Sequence, residues 1–473
     1  MKRKINVWAN IDWFTVILYA LFVIMGWLNI YSAVYNEEHQ SIFDLSQRYG
    51  KQMLWIIAAF VLAILIMIID SNFYSFFAYG LYIIMIILLI AVLFLGEEIH
   101  GSRAWLQFGS IRFQPAEFAK IATALAIARY MSSFNVKLNT YKSYLRVIGI
   151  ILLPFALIFL QDAGTALIFA AFLLPLYREG LSAAVLLLGV YVIVLFVLSF
   201  MFEKIFIAAG TILLAHAIFL FLTKQFKPPL ISLLIFIGAT GLFWGIHEIA
   251  SLQFPLIYIL LAGLVASGII YVILSYWYKI KHVYFLLLFV FGSIAFTYSV
   301  DYVFDNFLQP HQRLRIVQIM GIEESPQGAG YNVNQSKIAI GSGGFSGKGY
   351  LQGTQTKFDF VPEQSTDFIF STIGEEWGFI GSFFIIGMFV TLLLRLLVLA
   401  ERQRSRFSRI YGYGVIAILF FHFAINIGMT IGLVPVIGIP LPFISYGGSS
   451  LWAFTILLFI FIRLDVSRLK VLR

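Results

Sequence analysis

Cysteine is absent from the 473 residues, which excludes disulfide frameworks, thiolate metal sites and cysteine nucleophiles. Charge is scarce as well: Asp, Glu, Lys and Arg make up 12% of the chain, against 61% hydrophobic residues. A soluble domain carries roughly 25% charged residues, so this composition cannot cover a water-facing surface, and a soluble enzyme is excluded. The seven histidines, at 39, 100, 216, 247, 282, 311 and 422, include no pair at metal-ligand spacing. His216, His247 and His422 read as packed or hydrogen-bonded core residues. The apolar run near 13–31 lacks a small-residue cleavage site, so it reads as a retained first span rather than a removed signal.

What the chain has in quantity is apolar runs. A spanning helix needs about 20 largely apolar residues, and that rule predicts fourteen spans, near 13–34, 52–70, 73–95, 115–131, 145–160, 163–178, 182–201, 205–222, 229–248, 254–276, 283–300, 368–398, 410–434 and 448–466. The expected fold class is an all-α polytopic membrane bundle. Lys and Arg concentrate in cytoplasmic loops. With the N-terminus inside, the inner segments hold 21 of the 32 basic residues, and both termini are expected in the cytoplasm. That distribution accounts for the net charge of +9 without a nucleic-acid partner. Residues 301–366 break the run of short connections. They form a long, Gly-rich but compositionally mixed outer segment, which reads as ordered and functional.

Ionisable residues inside a bilayer are costly and face a cavity or a partner. Glu117 and Lys120, in Gln114-Pro-Ala-Glu117-Phe-Ala-Lys120, share one helical face about a turn inside the membrane. A stapling ion pair and a cationic site for an anionic substrate are both open on spacing alone. Asp162 stands at a helix start and reads as a cap. In Ser365-Thr366-Asp367 the hydroxyls offer an N-cap that puts Asp367 in the first turn of the twelfth span. Glu375 is eight residues on, about 12 Å deeper at 1.5 Å per residue, so the two do not make a close carboxylate dyad. The Pro435…Pro440-Leu-Pro442-Phe-Ile-Ser445-Tyr-Gly-Gly448 run is a stiff segment before the last span. It reads equally well as a re-entrant connector or as one wall of a substrate cavity.

Taken together, these segments resemble the SEDS family of peptidoglycan glycosyltransferases. The matching residues are Gln114-Pro-Ala-Glu117…Lys120, Asp162-x-Gly164-Thr165, Gln312-Arg313, Gly330-Tyr331, Gln335-Ser336…Gly344, Gly347-Lys348-Gly349, Gly353-Thr-Gln355, Val361-Pro-Glu363, Thr366-Asp367-Phe-Ile-Phe370, Glu375-Glu376 and the Pro435…Gly448 run. The Gly-Lys-Gly and Gly-Thr-Gln pieces favour the elongation branch over the division branch. The family usually has ten spans, so the resemblance implies about four additional helices. That divides the chain into 1–181, an added 182–282, and 283–473 with the outer loop 301–366. It also departs at Ser365, where the family usually has His, and at Gln161, where it has Pro.

The resemblance implies polymerisation of lipid II, the undecaprenyl-pyrophosphate disaccharide-pentapeptide, on the outer face of the bacterial cytoplasmic membrane during elongation. Asp367 matches the family's essential aspartate and would be the general base in an inverting transfer. Arg103, Glu117, Lys120, Asp162, Gln312, Arg313, Gln335, Ser336, Lys348, Glu363 and Ser445 are the implied substrate-binding residues. Mg²⁺ or Mn²⁺ enters through the resemblance only, as do a class B penicillin-binding transpeptidase and the elongation machinery as partners. Two competing readings are a lipid II flippase, which needs no outer base, and a scaffold for cell-wall machinery.

Overall fold

The computed structural model describes residues 7–35, 41–99, 102–109, 111–133, 136, 140–251, 254–306, 313, 329–358, 360–434 and 436–469. In chain order the helices are α1 (Trp13–Ala33), α2 (Arg48–Ile68), α3 (Ser71–Phe76), α4 (Ala78–Leu95), α5 (Pro115–Met131), α6 (Tyr141–Phe159), α7 (Ala163–Leu167), α8 (Leu173–Arg178), α9 (Ala183–Met201), α10 (Lys204–Thr223), α11 (Lys227–Ile249), α12 (Leu256–Tyr278), α13 (Val283–Asn306), α14 (Ala329–Ser342), α15 (Thr354–Lys357), α16 (Ile369–Glu401), α17 (Arg406–Thr430) and α18 (Gly448–Val466). Among the described residues twelve of these are long and apolar enough to cross a membrane, so the protein is a multi-pass membrane protein. The two other expected spans are α5, with 17 residues, and the shorter apolar stretch Ala163–Arg178, broken by a 3₁₀ turn at Ile168–Phe172.

The chain divides into two compact units, Met1–Ala183 with Glu324–Arg473, and Ala184–Glu323. In the first, α18 is the central helix, 83% of its apolar window being buried, whereas α4 has 17% buried and lies at the periphery. Helix α5 is buried on nearly every side, and its Ala116, Ala119, Ala122, Ala124, Ala126 and Ala128 let neighbouring helices approach closely. One end of this unit is tied by carboxylates. Asp12, the N-cap of α1, pairs with Arg395. Buried Asp465 meets Arg402 and Arg468, and buried Glu179 meets Arg406 and Arg409. The basic 395–409 segment is thus largely spoken for within the unit. The second unit packs α10, α12 and α13 around Ile212, Phe219, Leu264, Tyr271, Val283, Leu286 and Val290.

Two features were not legible in the sequence. Between α4 and α5 lies a three-stranded antiparallel sheet, β1 (Glu97–Ile99), β2 (Ser102–Phe108) and β3 (Ile111–Phe113), with Leu106 opposite Phe113. The buried Ala104 and Leu106 alternate along β2, a period-2 signal over too few residues to stand out beside the helices. The second is a break in α16 at Gly378, whose φ of +64° and ψ of −157° interrupt the helix.

The broken ladder is completed by the Gly-rich loop. Lys348 and Gly349 donate their N–H groups to the Glu375 and Glu376 carbonyls (both 3.0 Å), while Phe379 and Ile380 donate to Gly344 and Phe345 (2.9 and 3.2 Å). Both backbones must come very close, since a Cβ on Gly347 would lie 2.1 Å from the Glu376 carbonyl oxygen. This is why the loop carries glycine there.

Glu375 anchors the same loop from below. Its Oε1 accepts from Lys348 Nζ (2.6 Å), Thr354 N (2.8 Å) and Gln355 N (2.8 Å), and its Oε2 from Thr356 N (2.9 Å) and Thr356 Oγ1 (3.0 Å). Glu375→Ala is expected to cost about 3 kcal/mol or more, because it strips a buried charge network of its acceptor. Limited proteolysis should then show faster cleavage within 343–358; unchanged cleavage would remove Glu375 as the anchor.

Candidate functional site

The site is organised by the segment 436–446, which lies against four elements carrying candidate residues. The Ile437 carbonyl oxygen lies where a Cβ on Gly164 would be, 2.0 Å away, so the Asp162-x-Gly164 motif needs its glycine for this approach. Gly438, at φ +68°, faces Asp367, and a Cβ there would stand 3.4 Å from Asp367 Oδ2. Asn426 of α17 donates from Nδ2 to the Ile439 carbonyl (2.7 Å) and to the Asp367 carbonyl (2.8 Å). Ser445 donates from Oγ to the Thr366 carbonyl (2.6 Å) and accepts from Leu441 N (2.8 Å), and Tyr446 N donates to the Ser365 carbonyl (2.9 Å). Segments 365–367 and 436–446 are therefore clasped by one backbone–backbone bond and by the Ser445 and Asn426 side chains.

Asp367 itself precedes α16, which starts at Ile369 with Phe368 at the N-cap. The sequence expectation that Ser365 or Thr366 caps this helix is corrected. Thr366 Oγ1 bonds Glu363 (3.0 Å to Oε2), and Ser365 Oγ accepts from Arg48 (2.8 Å). The caps are drawn off by these side-chain partners, which leaves Asp367 in the turn immediately before the N-cap, outside the span. Burial, reinforced by the charges of Glu363 and Asp162, pushes the Asp367 carboxyl up to about 7.

Glu117 and Lys120 form a fully buried cluster with His422. Lys120 Nζ lies 2.9 and 3.0 Å from the two Glu117 carboxylate oxygens and 2.8 Å from His422 Nε2. His422 Nδ1 faces the Pro440 carbonyl at 3.3 Å. If Nδ1–H donates there, Nε2 is left to accept from the ammonium, and all three Lys120 hydrogens are engaged. The cluster thereby connects α5, α17 and the 436–446 segment. Asp162 caps α7, accepting from Gly164 N (3.0 Å), Thr165 N (3.2 Å) and Thr165 Oγ1 (2.6 Å), as its position in the sequence suggested. Its charge reaches both Asp367 and Lys120.

The other expected binding residues distribute unevenly. Glu363 is exposed beside Asp367 at φ +51°, 3.8 Å from Arg48. Ser336 is buried and bonds the Thr430 carbonyl (2.8 Å), tying α14 to α17. Gln335 is half-buried on α14. Lys348 is occupied by Glu375 and Thr354. Arg103 lies on β2, its side chain outside the described residues, and Gln312 lies outside them altogether. Arg313 belongs to the Ala184–Glu323 unit and donates to the Asp305 carbonyl (2.6 Å).

Sequence reasoning missed Arg48, Asn426 and His422 as site residues. Arg48 reads only as an outer-loop charge, yet it bonds Ser365 and its guanidinium lies 5.9 Å from the Tyr446 ring centre. Among the described residues no three His, Asp or Glu are grouped as metal ligands. Asp162 accepts the hydrogen bonds of its cap, and Glu363 accepts one from Thr366.

The family model of the FtsW/RodA/SpoVE cell cycle proteins matches residues 12–235 and 256–470. The gap it leaves, 236–255, falls within the stretch expected to hold additional helices. Curated relatives include the peptidoglycan glycosyltransferase RodA of Treponema pallidum, 30% identical over 94% of this chain and 95% of its own. The peptidoglycan glycosyltransferase MrdB of Escherichia coli K12 is 31% identical over 90% and 86%. Among solved structures, a chain of a peptidoglycan synthase complex superposes with a TM-score of 0.63 at 24% identity, covering 97% of this chain and 99% of that one. The rod shape determining protein RodA of Thermus thermophilus gives 0.56 at 21% identity, covering 98% and 99%. These two likenesses carry the fold, and the family model with the full-length relatives carries the membership: the chain belongs to the FtsW/RodA/SpoVE family.

Proposed function

We propose that this protein is a peptidoglycan glycosyltransferase that polymerises lipid II into glycan strands on the outer face of the bacterial cytoplasmic membrane during elongation. The observation that carries the reading is the Asp367 carboxyl, held near neutrality in a turn clasped by the 436–446 segment. A general base works best with a pKa near the operating pH. The names of the Treponema and Escherichia relatives supply the reaction class.

In this reading Asp367 takes the proton from the acceptor sugar hydroxyl, whose oxygen attacks the anomeric carbon of the donor strand. The bond from that carbon to the phosphate oxygen breaks, the lipid pyrophosphate leaves with the electron pair, and the anomeric centre inverts. Cations offset the charge on the leaving group. Arg48 is half-exposed beside Ser365, and Arg112 is exposed; the charges of both reach Tyr446. They are better placed to meet an anion than Lys120, which must first exchange a partner. Glu117 positions that ammonium. A class B penicillin-binding transpeptidase is the proposed partner, supported by the synthase-complex neighbour.

Glycan-strand formation from purified lipid II by the detergent-solubilised protein, with and without its transpeptidase partner, tests the proposal. Below about pH 7 the rate should rise about tenfold per pH unit and level off above it, as Asp367 ionises. A profile flat from pH 5 to 9 would remove Asp367 as the base. In the competing transporter reading, Asp367→Asn leaves lipid II flipping in vesicles intact.

A further inference from the structure

The Ala184–Glu323 unit has a charge axis that its helix packing does not require. Helices α10 to α13 alternate in direction, so the turn between α10 and α11 and the turn between α12 and α13 share one end. Tyr271 Oη donates to the Pro228 carbonyl at 2.7 Å and draws α12 against the start of α11. These turns hold Lys224, Lys227, Lys279, Lys281 and His282 and no carboxylate. Glu203, Glu248, Asp301 and Asp305 sit at the other end, where Lys204 pairs with Asp301. Among the described residues none of the four turn lysines has a carboxylate partner.

The basic end also carries a shallow, open cleft lined by Ser275, Tyr276, Trp277, Lys279, Ile280 and Tyr284. Its floor is braced, since Ser275 Oγ donates to the Ile280 carbonyl (2.9 Å) and Ile280 N to the Ser275 carbonyl (3.2 Å). Of its lining, Tyr276, Trp277 and Tyr284 are exposed. Lys224, Lys279 and His282 adopt left-handed φ of 53°, 53° and 70°, a conformation glycine takes at lower cost. Two lysines and a histidine therefore occupy turn positions that local backbone preference would give to glycine.

We propose that this cleft binds the phosphate headgroup of an anionic phospholipid, with Lys279 of its lining and Lys281, two residues on in the same turn, on the phosphate and Tyr276, Trp277 and Tyr284 against the glycerol backbone. Tyr and Trp settle at the headgroup level of a bilayer. Lysines between helix ends at that level attract anionic lipid. A free phosphate ester offers the same charge but gives the exposed rings no apolar body to cover.

The test is native mass spectrometry of the full chain in detergent, with equal phosphatidylglycerol and phosphatidylcholine of matched acyl chains, and a separate arm with glycerol phosphate. The wild type should retain phosphatidylglycerol preferentially. Lys279→Gln with Lys281→Gln should reduce that preference by about fivefold per lysine, about 25-fold for the pair. Lys204→Gln at the opposite end should leave it unchanged, and Lys279→Arg with Lys281→Arg should keep it. Equal retention of the two lipids by the wild type overturns the proposal even if the glutamine variant fails to fold. So does an unchanged preference in a folded glutamine variant, its loss in the arginine variant, an effect of Lys204→Gln as large as that of the glutamine pair, or displacement of the lipid by glycerol phosphate.

Discussion

Asp367→Asn is expected to lower glycan-strand formation by about 10²–10⁴-fold while raising, not lowering, the unfolding temperature at pH 8. The first effect follows from removing the base, and the second from its environment. An Asp367 pKa of about 7 in the folded protein stands above the ordinary value of 3.8. The folded state therefore holds this proton more tightly than the unfolded chain. The stabilising difference is present in full below pH 3.8 and is lost as pH rises through about 7. At pH 8 the ionised carboxylate is a burden of up to a few kcal/mol, and the neutral amide relieves it. A purely structural Asp367 would show the reverse pairing, with activity and stability falling together. Polymer yield and thermal unfolding measured on one preparation decide between them, and a variant that is less stable at pH 8 would sink the account.

The second large effect concerns Glu117 and Lys120. Both are 2% exposed and each is the other's counter-ion. Lys120→Met leaves an uncompensated carboxylate in the protein interior and should cost about 3–5 kcal/mol. Glu117→Gln with Lys120→Met removes both charges and should recover most of that stability. Polymerisation is expected to stay low in the double variant, because His422 then loses the ammonium that its Nε2 faces at 2.8 Å. The contact between α5, α17 and the 436–446 segment loosens with it. Full recovery of both stability and activity would make the pair a staple and nothing more. Spacing left that choice open, since residues three apart on a helix meet whether or not a substrate uses them. The third member of the cluster lies 302 residues away.

Much of the architecture was legible because a bilayer imposes it. Apolar runs of fixed length, basic loops and costly charges are one-dimensional signals, and all twelve long apolar helices lie on stretches expected to span. The motifs were legible too, as was the capping role of Asp162, because a side chain that bonds its own next two or three residues depends on local sequence alone. Three things were not. The 97–113 sheet has strands of three to seven residues, too short for a periodicity to emerge. The break at Gly378 is stable only because a loop some thirty residues earlier in the chain supplies the missing hydrogen bonds. Arg48 carries no motif and becomes a site residue by folding back onto Ser365, 317 positions away.

Read alone, the sequence established that this chain spans a membrane many times and that a carboxylate at 367 belongs to the start of a long span, conclusions for which composition and local spacing suffice. The family entered through the resemblance of its motifs and was established by the family model and the full-length relatives. Only the tertiary structure decided how that carboxylate is set. It withdraws Ser365 and Thr366 from capping, lays Gly438 opposite Asp367, and holds the turn through Asn426 and Ser445. The pKa of a carboxylate is a property of everything packed around it, and the chain brings those groups together from positions 162, 363 and the 436–446 segment.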